Sequence, residues 1–134
     1  MRRNGIFVGA SAAVLVVAGI LAVAFSTKAK EFTKEDLERW DMEFMTVVMD
    51  GEKLFHSALG SNKVSCDQCH PNAANTHPET YPKFQDQLKE VALLRDMVNW
   101  CIINPLEGHE LDQDSDEMKA LEAYILSQRA GVKW

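Results

Sequence analysis

Apolar residues fall at helical spacing in several stretches of the chain, and nowhere do they alternate as a half-buried strand would. Leu37, Trp40, Phe44, Val47 and Val48 recur at intervals of three and four and define one helical face. Thr33 stands where an N-cap belongs, with Asp36 three residues on in the capping-box position. The run MDGEKLFHSALG continues that helix or restarts it, with Asp50 as a cap and Gly60 as a stop. A glycine inside a helix costs about 1 kcal/mol against alanine, so Gly51 predicts a close helix–helix contact. Farther on, Phe84, Leu88, Val91, Leu94, Val98 and Cys101 predict one long amphipathic helix that ends before Pro105. Asp114 or Ser115 caps a final helix whose stripe is Met118, Leu121, Tyr124 and Ile125, with Gly131 as terminator. The stretches PNAANTHPETYPKF and LEGHELDQD are rich in turn formers and read as loops. The expected fold class is all-α.

Ahead of these helices, residues 6–25 form an uncharged stretch of 20 residues, flanked by Arg2 and Arg3 on one side and Lys28 and Lys30 on the other. A bilayer span needs about 20 apolar residues, more than the about 7–15 of a secretory signal. The length favours a retained transmembrane anchor; Ala22-Val23-Ala24 has the small-x-small form of a cleavage site and supports the alternative of a removed signal. The expected organisation is an N-terminal anchor or signal helix over 1–30 and one domain over 31–134.

All twenty acidic residues lie beyond residue 30, opposed there by ten Lys or Arg, so this part carries a formal charge of −10. Such a surface repels nucleic acid and anionic lipid and favours basic protein partners. A domain of this size sits near the limit at which an apolar core suffices unaided, so a further staple is expected.

Cys66-Asp67-Gln68-Cys69-His70 supplies it. C-x-x-C-H is the attachment signature of c-type haem. Two thiols one turn apart can each form a thioether to one of the porphyrin's vinyl groups, and the next histidine can then reach the iron from the same side. A zinc site would need further ligands, such as a second C-x-x-C, which the sequence lacks. One covalent haem c is therefore expected. Haem attachment takes place outside the inner membrane, which places the domain in the periplasm and residues 1–5 inside. The domain is then membrane-anchored, or soluble in the periplasm after signal cleavage.

The layout around the motif resembles class I cytochrome c over about residues 48–131, with GEKLFHSALGSNKVSCDQCHP as the first helix and haem site and LDQDSDEMKALEAYILSQRAG as the closing helix. That resemblance implies that Gly51 and Phe55 face Leu121 and Tyr124, and that a sixth iron ligand arrives after the central helix. Cys101, Met97 and His109 lie in or near that region. Met118, Met42, Met45, Met49, His77 and His56 are better explained as packing or surface residues. Cys101 itself could be a buried small hydrophobe, since free cysteine commonly is. A second resemblance bears on it. LLRDMVNWCIINPLEGHELDQDSDEMKALEAYI is similar to the haem domains of the thiosulfate dehydrogenase and Sox A-subunit family. In that family the matching cysteine ligates iron opposite the motif histidine, which implies the pair His70 and Cys101.

The resulting expectation is a membrane-tethered periplasmic mono-haem cytochrome that passes single electrons to a redox protein, such as another cytochrome subunit. The alternative is the haem subunit of a multi-subunit thiosulfate- or sulfur-oxidising enzyme with Cys101 in the active site. The small domain leaves little room for a substrate pocket, which favours an electron-transfer protein or subunit over a self-sufficient enzyme. Basic residues for an anionic substrate are sparse, with Arg95 the nearest to Cys101 in sequence. A gas sensor would need an output domain, and the chain offers no candidate for one.

Overall fold

A computed structural model describes residues 31–129. The expected helix over residues 6–25 lies outside the described residues. Among those described, no helix is long and apolar enough to cross a membrane.

Helix α1 runs unbroken from Lys34 to Phe55, so of the two readings at Asp50 the continuation is the one formed. Its start is the capping box expected at Thr33: the Thr33 hydroxyl accepts from the Asp36 backbone N–H, and the Asp36 carboxylate accepts from that of Thr33. Asp50 does not cap a new helix but pairs with Lys53 at 2.8 Å. Continuity through Gly51 follows from packing. A Cβ at this position would overlap the Ala120 carbonyl oxygen and come within 2.8 Å of the Tyr124 Cβ. The missing side chain thus lets α1 lie directly on the closing helix, α3 (Asp116–Ser127). Val48, Gly51 and Phe55 are buried there, and the rings of Phe55 and Tyr124 stand 5.1 Å apart.

The same stripe behaves differently toward the start of α1. Leu37, Trp40, Phe44 and Val47 remain exposed, and of these only Val47 lines a surface pocket with residues of α3. Trp40 meets only the edge of Phe32, with ring centroids 4.8 Å apart.

After α1 the chain makes three short 3-10 turns, Cys66–Gln68, Pro71–Ala73 and Pro78–Thr80. The long helix expected from Phe84 to Cys101 is not formed as one element. Lys83–Gln85 (β1) and Glu90–Ala92 (β2) pair as an antiparallel hairpin, with Phe84 opposite Val91. Both of these side chains are exposed, so the apolar spacing over 84–91 reports no buried face. Lys89, at φ 62°, takes the left-handed conformation that turns the chain back. Helix α2 starts only at Leu94 and ends at Ile103. Asp96 fixes that start, its carboxylate accepting the Leu93 N–H at 2.7 Å. The domain is therefore mostly helical with one small hairpin, and the all-α expectation is corrected to that extent.

Ser115, one of the two expected caps, starts α3 by accepting the Met118 N–H at 3.1 Å. The stripe Met118, Leu121, Tyr124 and Ile125 is buried as expected. Gly60 does not end a helix. α1 closes at His56, and Gly60 instead bridges Gly108 on the loop after α2.

Candidate functional site

The motif folds as a tight turn. The backbone N–H groups of Cys69 and His70 both donate to the Cys66 carbonyl, at 3.3 and 2.9 Å. This brings the two thiols one turn apart, with the imidazole immediately after them. His70 Nδ1 lies 3.0 Å from the Ala74 carbonyl oxygen. A carbonyl can only accept, so Nδ1 carries the proton and Nε2 keeps its lone pair for a metal.

The turn is latched to the end of α1. The Asp67 carboxylate accepts from the Ser65 hydroxyl and from His56 Nδ1, the latter at 3.1 Å. The Ser65 hydrogen bond first, and the His56 contact after it, hold the Asp67 carboxyl below its ordinary range. His56 Nε2 also lies 3.5 Å from the Tyr124 hydroxyl. The sequence suggests only a surface residue at 56, because nothing local signals a partner at 67.

Cys66, His70 and Cys101 line one cavity of about 250 Å³. Its helical wall is apolar, built from Phe55 of α1, Leu94 and Val98 of α2, and Leu121 and Ile125 of α3. A polar lip comes from residues between 75 and 87. Cys69 is exposed, and its charge still bears on Cys101. Burial, with the nearby Cys101 charge second, pushes the Cys66 thiol up to about 11. Cys101 is raised by burial and then by Cys69. Cys66 and Cys101 share this cavity, where burial disfavours the free thiolate, an environment suited to sulfur that is covalently capped or metal-bound.

The other candidates separate clearly. Met97, one turn before Cys101 on α2, also lines the cavity. His109 is exposed and does not line it. Met118 is fully buried in the core, and Met42, Met45 and Met49 lie on exposed parts of α1. His77 is exposed and pairs with Glu79. Arg95 is held by Glu122 at 2.9 Å and by the Gln113 carbonyl, away from the cavity.

Helix α2 is positioned by contacts distant in sequence. Asn99, buried two residues before Cys101, donates to the Leu111 carbonyl and accepts the Leu111 N–H, both at 2.9 Å. Leu106 N–H donates to the Cys101 carbonyl and Gly108 N–H to that of Ile102. Asn99 and Lys83 are the residues that sequence reasoning passed over. The apolar stripe gives no signal for a buried amide, and Lys83 reaches the cavity only because the chain turns as a hairpin.

These residues fit a covalently attached haem c: paired thiols, an imidazole with its proton held on the far nitrogen, and an apolar wall that also carries the sulfurs of Met97 and Cys101. Among the described residues no group of three or more His, Cys, Asp or Glu is placed to hold a metal ion directly.

Comparison with known proteins agrees with that fit. Residues 50–134 match the model of the SoxA/TsdA cytochrome c domain. A thiosulfate dehydrogenase of Psychrobacter arcticus is 26% identical over 72 residues, covering 48% of this chain and 22% of that protein. The crystal structure of SoxXA from P. pantotrophus superposes with a TM-score of 0.64 at 27% identity, covering 72% of this chain and 38% of the other. The chain thus spans well under half the length of either relative. Membership implies covalently bound haem c, and the chain belongs to the SoxA/TsdA cytochrome c domain family.

Proposed function

We propose that this protein is a mono-haem c-type cytochrome of the periplasm that passes single electrons, tethered by residues 6–25 and folded as one haem domain over 31–134. In this reading Cys66 and Cys69 carry the haem thioethers, His70 is the proximal ligand and Cys101 the distal one. When bound, haem supplies a one-electron ferric/ferrous couple, and a thiolate ligand favours its ferric state and lowers the potential. The chain's residues do the rest. Ala74 fixes the His70 tautomer, the Asp67–His56 contact holds the motif turn against α1, and the helical wall excludes water.

The observation that carries the reading is the shared cavity: His70, with Nε2 left available, and Cys101 line the same space as Cys66. Met97 shares that lining. Cys101 is preferred over it because the family resemblance assigns the matching cysteine to iron. Ferric spectra of the intact protein test the choice. Thiolate-type low-spin signals are expected, whereas a methionine-type near-infrared charge-transfer band would transfer the distal position to Met97.

A second reading rests on the relatives, one a thiosulfate dehydrogenase and the other part of SoxXA. The chain would then be a haem subunit of a sulfur-oxidising assembly, with a further cytochrome as partner and Cys101 at the reacting centre. Co-purification of a multi-haem complex that reduces an acceptor on addition of thiosulfate would favour it; inertness of that complex toward sulfur compounds would remove it.

A further inference from the structure

The cavity has two chemically different sides. Apart from the Cys101 thiol its helical lining is apolar, while Asn75, Thr76, Tyr81, Lys83, Gln85 and Gln87 make up the lip. Lys83 is the sole lysine or arginine in that lining. Its ammonium lies 4.5 Å from the centre of the Tyr81 ring, a cation–π contact that holds it in place without neutralising it. The half-buried arginines are already engaged, Arg95 by Glu122 and Arg129 by Glu79. Lys83 has no carboxylate partner among the described residues. Gln85 Nε2 donates to the Tyr81 hydroxyl oxygen, so the Tyr81 hydroxyl hydrogen remains available for another acceptor.

An unpaired cation over the ring of a tyrosine whose hydroxyl can still donate, both side chains half-buried, offers an anion charge-assisted hydrogen bonds. The surrounding acidic surface would repel an anion elsewhere. We propose that Tyr81 and Lys83, braced by Gln85, form an anion-binding lip on the cavity that takes a carboxylate or small oxyanion. The proposal rests on the cavity being the haem site, and the anion has two possible sources. One is the pair of carboxylate side chains at the polar edge of the haem itself; the other is a small sulfur oxyanion entering from solution.

Both sources are tested on purified full-length holoprotein, comparing wild type with Lys83→Met and Lys83→Arg. If the haem carboxylate is the ligand, Lys83→Met gains a pH-dependent segment in its reduction potential between about pH 5 and 8, because the carboxylate loses the cation that keeps it ionised. Wild type and Lys83→Arg lack that segment. If a free oxyanion is the ligand, thiosulfate shifts the ferric wild-type spectrum saturably, and Lys83→Met needs at least about tenfold more, as expected for loss of one charge-assisted contact. Tyr81→Phe moves the same readout in the same direction by a smaller factor. Identical potential–pH profiles in all variants, together with no thiosulfate response in wild type, would overturn the proposal. Failure of the Cys101 assignment is separately visible as a wild-type ferric spectrum without thiolate character.

Discussion

The two faces of the candidate haem site are built by opposite strategies. The His70 side is mostly local: the hydrogen bonds of Cys69 and His70 run to Cys66 and Ala74, and the one distant tie of the turn is that of Asp67 to His56. The Cys101 side depends on tertiary contacts. Its helix is held by Asn99 through Leu111, by Arg95 through Glu122 and by a loop that returns to Gly60. A local site survives loosening of the fold, because its geometry is carried by adjacent residues. A site made by packing shares the stability of the whole domain. The His70 side should therefore respond to substitution in an all-or-none way, and the Cys101 side in grades.

The largest expected effect is on the local side. Replacing both Cys66 and Cys69 by alanine removes both thioether positions, and covalent haem should be lost entirely. Denaturing gel electrophoresis with haem staining checks this. Haem that stayed with the denatured chain would break the comparison at its firmer end.

The helix crossing comes next. Gly51→Leu forces a side chain into the space taken by the Ala120 carbonyl and Tyr124. Overpacking of this kind costs about 1–3 kcal/mol or more, and here the obstruction is backbone. Denaturant unfolding should show that loss. If the packing account holds, the Cys101 side fails before the thioethers do, so covalent haem persists while distal ligation becomes mixed.

A smaller and more selective effect is expected at Asn99. Asn99→Ala leaves the Leu111 N–H and carbonyl without partners in a partly buried setting, a loss of about 1–3 kcal/mol. Haem attachment should be unchanged. The ferric spectrum should show a second population with altered distal ligation, which a purely global destabilisation would not produce under native conditions.

The smallest effect concerns acid stability. Burial alone would raise the Glu79 carboxyl, but its backbone hydrogen bond, Arg129 and His77 outweigh that and hold it at about 2, below its ordinary 4.5. A depressed carboxyl contributes stability that is present above the unfolded value and is lost as pH falls through the folded one. That contribution should disappear between about pH 4.5 and 2, weakening the tie between the Pro78–Thr80 turn and Arg129 at the end of α3. Glu79→Gln should flatten the stability–pH curve over that window. An unchanged curve would remove Glu79 from the account.

The same division explains what could be read from the sequence. The motif, the Thr33 capping box, the Gly51 contact and the α3 stripe are signals of short range or strict period, and the structure bears out the last three. The hairpin was not legible, because Phe84, Leu88 and Val91 mimic a helical stripe by spacing while Phe84 and Val91 in fact face solvent. The exposed half of α1 carries as good a stripe as the buried half, and only the reach of α3 distinguishes them. Lys83 and Asn99 depend on where the hairpin and loop are folded, which no local pattern encodes.

Electron paramagnetic resonance of the ferric full-length protein, beside its Cys101→Met variant, tests the assignment of the distal ligand most directly. A low-spin thiolate signal is expected in wild type, replaced in the variant by a species with a higher reduction potential. A wild-type spectrum of methionine character that the substitution leaves unchanged would contradict it.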